Sequence, residues 1–246
     1  MKQIILLVII SFSPLIVFSD QAKFREIIER FIETETRLQD EFQNYTYSNN
    51  ILFQELDDTG RVAGERLVEY DVYFDTSGER QVRKTRDHGR LDTIRVTKED
   101  LEDAVYRQPF VLSRKTASSY QIEYVGRELV DELDTYVFDL KPKKKKKKQR
   151  YFEGRIYVDE VDFQIVMTRG KIVPDYRNNK FPAFETVRAE IEKGIWFPIW
   201  TGADDYLRFG RNRRVRIKQV ITYDHFQRFE VDTSIKFDPE EPVTSK

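Results

Sequence analysis

Apolar and charged positions first separate at helical spacing. In AKFREIIERFIETETRLQDEF, Phe24, Ile27, Ile28, Phe31, Ile32, Leu38 and Phe42 keep close to one face, and acids and bases fill the other. The pattern predicts an amphipathic helix over 21–42 whose apolar stripe has to be buried. Beyond Asn44 the period falls to two. Val68, Tyr70, Val72 and Phe74 alternate with Leu67, Glu69, Asp71 and Tyr73; Tyr120, Ile122 and Tyr124 do the same with polar neighbours. So do Tyr136, Phe138 and Leu140, then Ile156 and Val158, then Phe163, Ile165 and Met167. Such runs are half-buried strands rich in aromatic and β-branched residues. About eleven are expected, at 44–55, 63–74, 80–86, 92–96, 119–126, 134–141, 151–158, 162–169, 183–191, 195–201 and 213–224.

The segments between strands read as tight turns: DDTG at 57–60, TSGE at 76–79, DELD at 131–134, DEVD at 159–162 and EKG at 192–194. Connections this short make chain neighbours antiparallel, as in a meander. TKEDLEDAV interrupts the strands as a short helix, with Thr97 as cap, Asp100 three residues on and Pro109 beyond its end. KIVPDYRNNKFP (171–182) is a loop bounded by prolines. The expected fold is mainly β with helices: a strongly curved antiparallel sheet with an N-terminal amphipathic helix and a short mid-chain helical lid. Helices laid across a curved aromatic sheet either leave an apolar cavity for a greasy ligand or fill the concavity as an ordinary core. If a cavity exists, the apolar strand phases assign its wall to Val68, Tyr70, Val72, Tyr124, Tyr136, Phe138, Ile156, Ile165 and Trp200, with Phe31 and Leu38 from the helix. A register error of one residue would move each set to the other face.

Residues 1–19 change the compartment. MKQIILLVIISFSPLIVFSD has one basic residue, an apolar run over 4–18 broken by Ser11, Ser13 and Pro14, and small residues at 17 and 19. This reads as a signal peptide cleaved after Ser19, too short for a membrane span. Periplasmic residence is expected, with one domain over 20–231 and a loosely held tail over 232–246. The chain has no cysteine, which removes disulfides, thiol nucleophiles and lipid attachment at cysteine.

The net charge of −1 hides an uneven distribution. KPKKKKKKQR, residues 141–150, holds eight basic residues and no acid, so the rest of the chain is distinctly acidic. A nucleic-acid binder would carry its basic face in the fold, and none is expected here. The run joins two predicted strands, with its exposed tip at 142–149. It has two readings: a hairpin tip held out by self-repulsion, and a contact for an anionic membrane surface through Lys143, Lys144, Lys145, Lys146, Lys147 and Lys148.

Catalytic chemistry finds little to stand on. The two histidines, His88 and His225, have no metal-ligand spacing, and no nucleophile elbow or phosphate-binding glycine loop occurs. Asp204-Asp205 reads as a turn between strands rather than a calcium loop. Arg214, Arg216 and Lys218 alternate with Val215 and Ile217 as a solvated strand face. No enzyme activity, cofactor or metal is expected.

YVGRELVDELDTYVFDLKPK (124–143), YFEGRIYVDEVDFQIVMTRGK (151–171) and FETVRAEIEKGIWFPIWTGADDYLRF (184–209), following a leader and an amphipathic helix, resemble the LolA/LolB-like lipoprotein-sorting superfamily, which includes RseB-like sensors. The resemblance implies an incomplete half-barrel with a helical lid. It also implies a non-catalytic periplasmic carrier of lipid or lipoprotein acyl chains. The alternative it implies is an envelope sensor or scaffold acting through a protein partner. No family site residue is carried over, and the lysine run is longer than the family's usual hairpin loop.

Overall fold

The computed structural model describes residues 15–75, 80–146, 149–174, 182–209 and 213–228. In chain order these form α1 (Leu15–Phe42), β1 (Tyr45–Leu56), β2 (Val62–Phe74), β3 (Arg80–Arg90), α2 (Lys98–Glu102), a π turn (Asp103–Arg107) and α3 (Arg114–Ala117). Then follow β4 (Tyr120–Val130), β5 (Leu133–Pro142), β6 (Tyr151–Asp159), β7 (Ile165–Val173), β8 (Phe184–Glu192), β9 (Ile195–Phe209) and β10 (Arg213–Arg228). The turn expected at 76–79, most of the loop expected over 171–182, residues 1–14 of the expected leader and the expected tail over 232–246 lie outside the described residues. Among the described residues no helix is long and apolar enough to cross a membrane.

Ten strands make one antiparallel sheet in the order β3-β2-β1-β10-β9-β8-β7-β6-β5-β4, a curved half-barrel left open between β3 and β4. The meander holds on each side of one exception: β1 and β10 pair along nearly their whole length, whereas β3 and β4, adjacent in the chain, do not pair. The long connection between those two edges, residues 91–119, carries α2, the π turn and α3. The eleventh strand expected over 92–96 is absent. Its Thr93 and Ile94 amides donate to the buried Glu55 carboxylate at 2.7 and 3.2 Å, which turns this backbone toward β1 instead of a neighbouring strand. The capping box of α2 is as expected: Thr97 N–H donates to Asp100 Oδ2, and Asp100 N–H to Thr97 Oγ1. Asp204-Asp205 is a correction. Both lie inside β9, and Arg216 on β10 donates to both Asp204 carboxylate oxygens at 2.8 Å.

Helix α1 and the 91–119 connection pack on the same face of the sheet, giving two apolar clusters. Over β4–β8, Phe31 packs on Phe138 (ring centroids 5.2 Å) and Phe24 stacks on Tyr124 (3.8 Å). Over β1–β3 and β9–β10, Phe42 stacks on Phe197 (4.0 Å), and Val96, Ala104 and Val105 cover Tyr47, Ile51 and Val72. Each of the larger buried side chains removes apolar surface worth roughly 1.5–3 kcal/mol.

Candidate functional site: a polar seam and the groove beside it

Between the clusters runs a seam of buried polar side chains that ties residues 97–113, here termed the strap, to helix and sheet. Glu35 on α1 and Arg188 on β8 are both wholly buried. Arg188 donates through Nη1 to Glu35 Oε1 at 2.5 Å and through Nη2 to the Phe110 carbonyl, while Leu112 N–H donates to Glu35 Oε2 at 3.1 Å. Gln108 and Gln219 exchange side-chain amide bonds, Nε2 of Gln219 donating at 2.9 Å. Thr186 donates to the Gln108 carbonyl and shares a hydroxyl contact with Thr201, which meets the Tyr223 hydroxyl at 3.0 Å. At the π turn, Asp103 receives Arg107 and Arg150, and Arg80 donates to the Val105 carbonyl and to the Tyr47 hydroxyl. A charge withdrawn from water has to be matched by such partners.

Burial moves the titrations of these groups. Loss of hydration pushes the Asp100 carboxyl up to about 6. It also raises the Tyr47 and Tyr223 hydroxyls above the usual tyrosine value.

Beside the seam, on the open β3 side, an open surface groove of about 610 Å³ lies between the strap and the sheet edge. Tyr70 and Val82 form its floor, and Val96, Leu101, Val105 and Tyr106 its roof. Arg66, Lys84 and Lys98 stand at the rim. Arg66 and Lys84 are already engaged with Asp87, which they hold down to about 2. The volume is within the range of small-ligand pockets.

The expected wall residues take different places. Tyr124, Tyr136, Phe138, Ile156, Ile165 and Phe31 face the helix side and pack into one cluster; of these, Phe31, Phe138, Ile156 and Ile165 are wholly buried. Over β4–β8 the helix fills the sheet's concavity. Val68 and Val72 face the same side and are fully buried, and Leu38 is buried on α1. Tyr70 alone of the set lines the groove. Trp200 is a correction. Thr201 and Ala203 take the inward phase of β9, so Trp200, paired with Thr222 and Val187, lies outside with its ring across Gly202. A bulge opposite Val187 and Arg188 shifts the phase there.

Lys143 to Lys146 form an exposed loop after β5, which extends to Pro142; Lys147 and Lys148 lie outside the described residues. Arg150, the last base of the run, is different: its side chain is 5% exposed and reaches Asp103 under the strap. The seam itself escaped the sequence reading. Its signal was polar residues standing at inward positions: Glu35 between Phe31 and Leu38, Arg188 two residues after Thr186, and Asn49 between Tyr47 and Ile51. Among the described residues no cluster of His, Asp and Glu could hold a metal ion.

No family model and no curated protein matches the sequence. Solved structures similar to this chain include a DUF1329 family protein from Desulfovibrio piger, 15% identical over 84% of this chain and 94% of that one, TM-score 0.44. An outer membrane lipoprotein-sorting protein domain from Vibrio parahaemolyticus is 10% identical over 85% and 95%, TM-score 0.39. A LolA superfamily protein from Nitrosomonas europaea is 12% identical over 81% and 94%, TM-score 0.37.

Proposed function

We propose that this chain is a non-catalytic periplasmic binding protein for a lipid or a lipoprotein acyl chain, and that the ligand enters the groove beneath the strap. The groove is the observation that supports this reading. Its floor belongs to the sheet and its roof to the strap, so a small outward movement of one segment widens it. Tyr70, Val82, Leu101 and Tyr106 offer hydrocarbon an apolar strip in a mixed lining, and Arg66, Lys84 and Lys98 keep the mouth in water. The expected wall over β4–β8 then serves as the fixed half of the core, joining the site only if α1 lifts.

The test is displacement of a fluorescent fatty acid, together with native mass spectrometry of protein purified from the periplasm. Val82→Trp, which fills the floor, should weaken uptake about tenfold or more while the far-UV spectrum is kept. Uptake unchanged in Val82→Trp, or absent in wild type, overturns the reading.

A second reading, an envelope scaffold acting through a protein partner, draws on the outer face of β9, where Trp200 and Ile199 are each 36% exposed and Tyr206 is 54% exposed. Apolar side chains grouped on a solvated face mark docking surfaces. A polypeptide that copurifies with wild type and is lost in Trp200→Ser would favour it.

A further inference from the structure

Next to the groove floor the fold leaves one polar side chain without a partner. Asn49 stands at the middle of β1 on the inner face, directly opposite Tyr70 on β2 and Tyr223 on β10. It is 0% exposed, and neither Oδ1 nor Nδ2 has a hydrogen-bond partner among the described residues. The polar groups beside it are committed elsewhere: Tyr223 to Thr201 and Tyr47 to Arg80. A buried amide without partners costs stability that a leucine of similar size would not, and such a group calls for an explanation. The alternation of β1 is otherwise apolar here, with Tyr47 on one side and Ile51 on the other. Tyr70, the cross-strand neighbour of Asn49, is the groove's own floor residue.

We infer that Asn49 is the polar contact of the binding groove, and that the ligand is an amphiphile whose acyl chain is joined through a neutral ester or amide. This rests on the groove reading above. Nδ2 would donate to the acyl carbonyl, and Oδ1 would accept the N–H of an amide linkage. An uncharged amide offers one kind of donor and one acceptor, which matches a neutral linkage better than a carboxylate. Rotation of Tyr70, which is only half-buried, brings the groove and Asn49 into one space. The hydrocarbon then lies along Val82, Leu101 and Tyr106.

The experiment compares two probes of the same chain length, dodecanoyl glycerol and dodecyl glyceryl ether, which differ in the carbonyl alone. Each is titrated against a fluorescent fatty acid on wild type and on Asn49→Leu. Wild type should prefer the ester about tenfold, the scale of one well-made hydrogen bond in a dry site. Asn49→Leu should lose that preference by weakening the ester while leaving the ether unchanged, and should melt no lower than wild type. Equal affinity of wild type for the two probes overturns the assignment of Asn49 and leaves the groove standing. So does an ester preference that survives in Asn49→Leu. If neither probe displaces the reporter from wild type, the groove reading fails and this inference fails with it.

Discussion

Arg188 carries a full charge into the interior and finds three oxygens waiting, two on Glu35 and one on Phe110. Removing one partner of such a pair leaves the other charged and dry. Arg188→Met is expected to cost roughly 3–5 kcal/mol, read from urea unfolding. The double variant Glu35→Leu/Arg188→Met should recover part of that loss. Recovery stops short because the Leu112 N–H and Phe110 carbonyl lose their partners as well. A single variant costing less than about 1 kcal/mol would contradict the seam's role in stability. Asp100 makes the second residue-scale prediction. Burial holds its carboxyl at about 6, above the value near 4 expected in an unfolded chain. The folded protein therefore keeps the proton more tightly. Its stabilising contribution is fully present below about pH 4 and is lost as pH rises through about 6. Asp100→Asn keeps an acceptor for the Thr97 N–H without the titration. Stability measured from pH 4 to pH 8 should fall less steeply in the variant than in wild type. Parallel profiles would rule out Asp100 as a source of the slope.

The strap is an element held at its ends by different forces. Its N-terminal half is capped and packs through Ala104 and Val105, while its C-terminal half rests on aromatic contact and the seam. Phe110 stacks on Phe152 with ring centroids 4.7 Å apart, and the Phe152 ring lies over Gly170. Gly170 faces Gly154 across the β6–β7 ladder, so two missing side chains make the floor for this stack. A Cβ on Gly170 would stand 2.7 Å from Phe152 Cζ and would also press on the Glu153 carbonyl. Gly170→Val should therefore displace Phe152 and Phe110, at a cost of roughly 1–3 kcal/mol. Limited proteolysis should cut the variant within 108–113 faster than wild type. An unchanged cleavage rate there, with the sheet intact, would mean that the strap does not rest on this floor.

At the scale of the molecule, the β1–β10 pairing joins two meanders whose partners lie far apart in the chain, Ile51 opposite Ile221 for example. It leaves two free edges. The β3 edge is guarded by its charges, Arg83, Arg86 and Arg90 among them, as edges commonly are. Of the lysine run, Lys141 and Pro142 end β5 and Arg150 is buried against Asp103, while Lys143 to Lys146 lie in an exposed loop. Replacing residues 144–148 by Asn-Gly should leave stability within about 0.5 kcal/mol, because exposed ion pairs such as Lys145–Glu153 are worth little. Arg150→Ala, by contrast, should cost roughly 3 kcal/mol by leaving Asp103 short of a buried partner. Cosedimentation with anionic liposomes separates the two readings of the loop. If the lysines dock on lipid, the deletion weakens binding at low salt, and high salt does the same to wild type by screening exposed charge over about 8 Å or less. Equal binding at low salt reduces the run to a connecting loop.

Periodicity alone was enough for the helix, for ten of the strands and for most turns, because whether a residue can face water is a local property repeated at the element's own period. Val68, Val72, Tyr136, Phe138 and Ile156 followed that rule and lie inside. Trp200 did not, since β9 carries an extra residue there, Val187 pairing with Trp200 and Arg188 with Pro198, and that mismatch is set by the pairing with β8. Residues 92–96 alternate like a strand, but Glu55, far away in the chain, captured their amides. The partners of Glu35, Arg188, Asp103 and Arg150 are likewise set by which elements meet in the folded half-barrel. Whether the concavity is filled was decided in the same way. Over β4–β8 the side chains of α1 close it, and over β2–β3 Val96, Ala104 and Val105 cover Val72 while the groove stays open beside them.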